Sequence, residues 1–464
     1  MPHLHRIAGE PLVGYVGIAI PLFAALLVAL IRRQVRIIGI VATLVSAVAC
    51  ALPLIADPNG QSLSHALMLL FSCLTLGSIV VLPLRDCNAR NIGGILVILG
   101  ATLLAYSTDN LLILLAAWIL SVFPYFVPRW FQARSWRPRA ALMLSAIALG
   151  SAIGLIAAGA HTVSIDALRG RGPGGMAAFG LLVAAVIFRK GILPAHSWIA
   201  DAADGGPLIP TALLFNGHFG AVIVAKLIVP LFASATVTFF PILSYLAMAT
   251  ALYVAIRALA ENSPRRLLAL ISLSQSAAIL TGLESGTVEG ITGAFVHWYV
   301  VSVSTVSLFA ILRLLEVRFG ENLTASTHLG LAGHAPRLAV SFVVFGLALV
   351  GLPGTLSFCS QDLLIHGTLE SHPLTGLLLP IATAMNAVSI FRLFTRLFLG
   401  KRITGFTAVL VDALPRERWV LAIGMVFVVL GGVFPNQFVA RRSVEANVVE
   451  RDLRSPARGQ AIQK

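Results

Sequence analysis

Apolar residues run along this chain in blocks of roughly twenty, separated by short polar breaks. The blocks are 12–31, 37–56, 65–84, 92–107, 110–127, 140–159, 175–193, 208–232, 237–256, 267–283, 288–312, 338–357, 374–391 and 419–438. A helix rising 1.5 Å per residue crosses the bilayer core in blocks of this length. The pattern predicts an all-α, polytopic membrane protein with about 14 transmembrane helices. The N-terminal MPHLHRIAGEPLVG enters the first block without a small-residue cleavage site, so Leu12–Ile31 is expected to be a retained helix.

Two blocks are interrupted at bilayer depth. Pro194 breaks the seventh, and Pro353, within GLPGTLSF (Gly351–Phe358), breaks or ends the twelfth. Each break is followed by a polar stretch with an acid, Asp201 and Asp362, and then by a long apolar block. Paired broken helices in two halves of a chain point to inverted repeats with a path between them. The organisation read from this is three N-terminal helices (1–91), a first repeat of helices 4–8 (92–236), a second of helices 9–13 (237–400), a last helix (401–440) and a polar basic tail (441–464).

Composition agrees with a membrane class. Hydrophobic residues make up 58% of 464 and charged residues 11%, against about 25% charged in soluble domains. The net charge of +14 could fit nucleic acid, but the arginines sit in alternate short loops and not on one patch. Arg32, Arg33 and Arg36 follow the first block, Arg85 and Arg90 the third, and Arg129, Arg134, Arg137 and Arg139 the fifth. Arg392, Arg396, Lys401, Arg402, Arg416 and Arg418 follow the thirteenth. The loops after the second, fourth, tenth and twelfth carry no Lys or Arg. The positive-inside rule then puts the odd-numbered loops in the cytoplasm of a bacterial-type inner membrane and both termini outside. Arg169 and Arg171, and the tail arginines Arg441, Arg442, Arg451, Arg454 and Arg458, depart from this alternation. Of four cysteines, Cys50, Cys73 and Cys359 lie in apolar segments and are expected to be small core residues. No spacing reads as a disulfide framework or zinc site.

The chemistry concentrates between Phe188 and Lys226. The chain has four lysines, Lys190, Lys226, Lys401 and Lys464, and two fall in this apolar stretch. A lysine at a helix centre costs roughly 2.5–3.5 kcal/mol on insertion scales. Lys190, four residues before Pro194, therefore reads as part of an ion or proton path. The rival reading is a loop-edge lysine snorkelling with Arg189. His218 and Lys226 stand eight residues apart on nearly one helical face and could join Lys190; the rival for Lys226 is snorkelling. His196 and Trp198 follow the break, Trp198 also fitting an interfacial anchor. His297, deep in an apolar block, is a relay or a helix–helix hydrogen bond. Asp362 is a relay or gate, or an N-cap beyond the break. Gln275 and Ser274 read as packing polars. No nucleotide loop, redox motif or nucleophile triad is visible, so no cofactor and no catalytic redox centre is expected in this chain.

These residues resemble a family. Lys190, Pro194, His196, Trp198, Asp201 and Ala202 read K-x3-P-x-H-x-W-x2-D-A. This is similar to the seventh-helix motif of the antiporter-like subunits of respiratory complex I, a family that includes sodium/proton antiporters, membrane-bound hydrogenases and Dab-type inorganic-carbon pumps. SPRRLLALISLSQSAAIL (Ser263–Leu280), AFVHWYVVSVSTVSLF (Ala294–Phe309), LVGLPGTLSFCSQDLLI (Leu349–Ile365) and ATAMNAVSIFRLFTRLFLG (Ala382–Gly400) resemble further family segments. The resemblance implies half-channels joined by a central line of charged residues. It makes Lys190 the seventh-helix lysine, His297 the first histidine of the eleventh helix, and Asp362 the acid after the twelfth-helix lysine. It also shows departures. Ile119 stands where the family has a fifth-helix glutamate, Val301 where it has a second histidine, Thr305 and Gln361 where it has lysines. An acid restored at 119 is expected to clamp Lys190 if the helices pack as in the relatives.

Three functions stay open at this point. The first is a proton-translocating subunit of a complex I-type (NADH:quinone oxidoreductase-like) assembly, at most a translocase subunit. The second is the membrane subunit of a Dab-type inorganic-carbon pump with a soluble zinc-site partner, favoured by a compact fourteen-helix core with no long lateral helix after residue 440 and by the degenerate relay. The third is a non-conducting scaffold. The expected partners are other membrane subunits, a soluble redox or zinc-site protein, lipid and protons, with Na+ still open as the ion, and no nucleic acid. A periplasm-active reporter fused at Lys464 is expected to be active, and a reporter active only in the cytoplasm would sink the even helix count.

Overall fold

The computed structural model describes residues 11–56, 62–127, 136–320, 323–401 and 412–461. Arg129, Arg134, Arg402 and Lys464 of the topology argument lie outside these residues. Every regular element described is a helix, apart from one isolated bridge between Asn110 and Ser164. The first six helices are α1 (Pro11–Ile31), α2 (Val35–Ala56), α3 (Leu63–Val81), α4 (Ala89–Ser107), α5 (Leu111–Phe126) and α6 (Arg137–Ala160). After the short α7 (Ile165–Leu168) come α8 (Gly175–Lys190) and α9 (Ser197–Gly205). A bent path follows through α10 (Leu208–Asn216), α11 (Phe219–Ile223), a π turn at Val224–Ile228, and α12 (Val229–Leu231). Then come α13 (Ala233–Ala260), α14 (Pro264–Leu283), α15 (Val288–Phe319), α16 (Pro336–Leu349), α17 (Leu356–Ser371), α18 (Pro373–Phe398), α19 (Pro415–Val433) and α20 (Asn436–Ala461).

Among the described residues, nine stretches are long and apolar enough to cross a membrane: α2, α3, α4, α6, Leu208–Leu231, α13, α14, α15 and α18. The pair α19–α20 passes the same test but bends by 76°. The fourteen expected spans would need, besides these, α1, the shorter α5 and the broken pairs α8–α9 and α16–α17. Both expected breaks occur, and the polar stretches expected after them are themselves helical: α9 carries Asp201 and α17 carries Asp362.

The centre of the bundle is α14, of whose apolar window 94% is buried, with α15 beside it at 83%. Small residues let helices close here. A Cβ on Gly293 of α15 would lie 2.7 Å from the backbone N of Leu364 on α17, and one on Gly282 of α14 would lie 2.8 Å from Gly290 O. Close backbone contact of this kind replaces the hydrophobic drive that lipid removes.

The charges sort to the two ends. At one end Arg313 pairs with Asp86 at 2.7 Å, Arg265 with Glu316 at 2.6 Å, Arg318 with Glu417 at 2.5 Å and Arg266 with Asp201 at 2.9 Å. At the other end lies α20, which corrects the expectation that no helix follows residue 440. Its sequence has alternating charge and no apolar run, so it shows no spanning signal. It is held by Glu445, which accepts from the Leu63 backbone N–H, and by Asp452, paired with Arg169 at 2.9 Å. Leu453 packs at Gly286, just beyond α14. The arginines that broke the sequence alternation thus share one end, where Arg169 and Arg442 have acids beside them. Of the cysteines expected in the core only Cys50 is buried; Cys73 is exposed and Cys359 half-buried, because both lie on outward helix faces.

Candidate functional site

The break in α8 is built by a glycine and two borrowed hydrogen bonds. Gly191 adopts φ 70°, which stops the helix directly after Lys190, and a Cβ there would meet Ile199 Cγ1 at 2.7 Å. The Trp198 indole N–H donates to Phe188 O at 2.8 Å, and Leu193 N–H donates to Thr250 Oγ1 at 3.0 Å. Backbone groups freed at bilayer depth must find such partners within the protein. This gives Trp198 a structural task at the break in place of interfacial anchoring.

Lys190 is 5% exposed. Its Nζ lies 2.9 Å from His218 Nδ1 and donates to Ser276 Oγ on α14. With the lysine as donor, Nδ1 accepts and the ring proton sits on Nε2, which is buried without a protein partner. His218 is held between α10 and α11 at φ 42°, a strained position for a residue with a Cβ. Its ring also meets Trp298 edge-on at 5.3 Å. Arg189 does not snorkel. It is buried between Trp118 and Phe219, its Cζ 5.2 Å and 4.8 Å from their ring centroids, and donates to Ser121 Oγ at 2.8 Å.

A polar seam continues through α14. Next to Ser276, Gln275 Oε1 accepts from His297 Nε2 at 2.9 Å, and His297 Nδ1 lies 3.0 Å from Ser360 Oγ on α17. Next to Gln275, Ser274 Oγ accepts from Asn386 Nδ2 on α18 at 2.8 Å. Three successive residues of one helix therefore touch α8, α15 and α18. Gln361 follows Ser360, is nearly buried, and has its amide against Gly351 at the second break, where a Cβ would overlap it.

The other expected residues stand apart. His196 packs edge-on against Tyr253 at 4.9 Å, and its Nδ1 is buried without a hydrogen-bond partner. Lys226 donates to Tyr106 O and, at 3.2 Å, to Thr108 O, so it caps the C-terminal end of α4 instead of joining His218. The π turn that contains it redirects the side chain. Asp362 is an exposed acid 3.5 Å from His366 on the same outer face, which removes it from the central line. Ile119 is 49% exposed, whereas its neighbour Trp118 is fully buried. A carboxylate at 119 would face outward and not toward Lys190, so the expected clamp is withdrawn.

Residues 139–386 match the family described as NADH:quinone oxidoreductase/Mrp antiporter, TM. The chain belongs to that family. It is 26% identical over 258 residues to NADH-quinone oxidoreductase subunit N of Rhodococcus opacus, covering 55% of this chain and 48% of that protein. It is 28% identical over 297 residues to subunit N 3 of Streptomyces griseus, covering 62% and 52%. The chain thus spans about half the length of the curated relatives it matches. Its fold is similar to a chain of respiratory complex I from Thermus thermophilus, with TM-score 0.85, 21% identity and coverage of 95% and 99%. It is also similar to a chain of the Mrp complex from Dietzia sp. DQ12-45-1b, with TM-score 0.80, 18% identity and coverage of 96% and 100%.

Within this antiporter-subunit family fold, sequence reading missed Ser276, Ser360 and Glu284 as buried polar groups of the core, and named Arg189 only as a snorkelling neighbour of Lys190. The signal available was the run Ser272, Ser274, Gln275, Ser276 in an otherwise apolar helix. One glycine tests the lysine's placement. A Cβ on Gly220 would overlap the Lys190 Cγ and lie 3.3 Å from Val186 Cγ1. Gly220→Ala is expected to cost about 1–3 kcal/mol, read from thermal unfolding in detergent. In a Lys190→Ala background most of that cost should vanish; additive costs would place the lysine stem elsewhere.

Proposed function

We propose that this chain is a proton-translocating membrane subunit of a complex I-type energy-coupling assembly in a bacterial-type inner membrane, with other membrane subunits as partners. The observation that carries the reading is the buried contact of Lys190 Nζ with His218 Nδ1 at 2.9 Å, beside the α8 break. An amine and an imidazole in hydrogen-bond reach can pass one proton between them, which a relay requires. Relatives named as NADH-quinone oxidoreductase subunits support the type of assembly.

The line is shorter than the family pattern. Beyond His297, the positions of the expected lysines hold Thr305 and Gln361, which orient water but do not titrate. Conduction therefore uses the Lys190 half, and the seam through Gln275 and Ser360 couples it mechanically and by hydrogen bonds to the second break. The inorganic-carbon reading drew on the degenerate relay and on a compact core with no long lateral helix after residue 440; α20, 26 residues long, weakens the second of these grounds.

Lys190→Met keeps the length of the side chain and removes the charge. In sealed membrane vesicles with the assembled complex, proton flux is expected to fall about a hundredfold at normal insertion, the scale of a lost proton-transfer group. Unchanged flux would move the path away from Lys190.

A further inference from the structure

Glu284 follows the last residue of α14, two turns beyond the Ser276 that holds Lys190, a rise of about 12 Å. It is 4% exposed and its Oε2 has no hydrogen-bond partner. It borders a cavity of about 20 Å³ whose other walls, from α8, the bent path, α13 and α14, are apolar. A second cavity of about 20 Å³ lies at Lys190, His218 and Ser276. Each has room for about one water. Val186 joins the two places. It borders the Glu284 cavity and lies one helical turn before Lys190, beside the glycine against which the lysine stem runs.

A buried carboxylate needs a hydrogen bond, a counter-charge or a proton. Lys190 is a buried cation on the same side of α14, its head held by Ser276 two turns from Glu284. The other titratable groups around the pair, Arg189 and His218, are on the lysine's side.

We propose that Glu284 is the acid partner of Lys190 in this chain and that it carries the proton between Lys190 and the α20 end of the bundle. The proposal rests on the proton-translocating reading. In the step, Lys190 NH3+ and Glu284 COO− become NH2 and COOH through water in the two cavities, one at each group. The pair's net charge is zero before and after, so the transfer itself isolates no charge in the core. The acid then loses its proton toward the loop 284–289, where Ser285 and Thr287 share a hydrogen bond of 3.2 Å and Glu289 is exposed. Lys190 is reprotonated from the His218 side.

The test compares wild type, Lys190→Met, Glu284→Gln and Glu284→Asp in the assembled complex in sealed vesicles, with proton flux followed across pH. Glu284→Gln, which keeps the shape, is expected to lose flux at least about tenfold. Glu284→Asp should retain part of it with a displaced pH profile, which a purely structural role would not move. Loss of flux in Lys190→Met with wild-type flux and profile in Glu284→Gln would overturn the inference and leave the proton reading standing. Wild-type flux in Lys190→Met would overturn both. Should Glu284→Gln fail to insert, the Asp variant decides: reduced flux with a displaced profile supports the assignment, and wild-type behaviour overturns it.

Discussion

An ammonium buried at bilayer depth has to be hydrogen-bonded, and the centre of this molecule is arranged around that requirement. Lys190 ends a helix that Gly191 stops, its stem passes a glycine, and its head meets a histidine and a serine. Each feature alone is costly or permissive: a broken helix, a strained histidine backbone, a polar run in an apolar helix. Together they solve one problem, since the freed backbone groups and the charge are satisfied by side chains that Trp198, Thr250, Ser276 and His218 supply. The polar triple of α14 then ties this site to His297, Ser360 and Asn386, so the two broken helices share one rigid spine.

The ends of the bundle are organised differently from its centre. At the arginine-rich end, buried or half-buried acids such as Glu316 and Glu417 bind arginines from several helices. At the other end, α20 lies across the bundle and is pinned through Glu445 and Asp452 to α3 and to the segment before α8. Glu284 lies at the end of α14 that faces this second end, where Leu453 of α20 packs at Gly286.

Much of the fold was legible because membrane helices must be long and apolar and must break where function needs a charge. Lys190, His218 and His297 could be read from the same principle. The failures have a common geometric cause. Neighbouring residues on a helix point about 100° apart, so Asp362 beside the nearly buried Gln361, and Ile119 beside the buried Trp118, face outward although they occupy motif positions. Lys226 lies away from His218 because a π turn shifts the register that the eight-residue spacing assumed. Serines and glutamines in apolar helices carry no sign of what they touch, and Glu284, at a helix end, looks like an ordinary loop acid. The helix α20 was invisible because it has no spanning block and too much charge.

The central claim is that Lys190 and His218 form one proton-holding unit. Nitrogen NMR of Lys190 Nζ and His218 Nδ1, in the assembled complex in lipid and across pH, tests it most directly. The account predicts that both nitrogens change together as one coupled system and that replacing either residue alters the response of the other. Independent titration, or a lysine signal unaffected by the loss of His218, would contradict it.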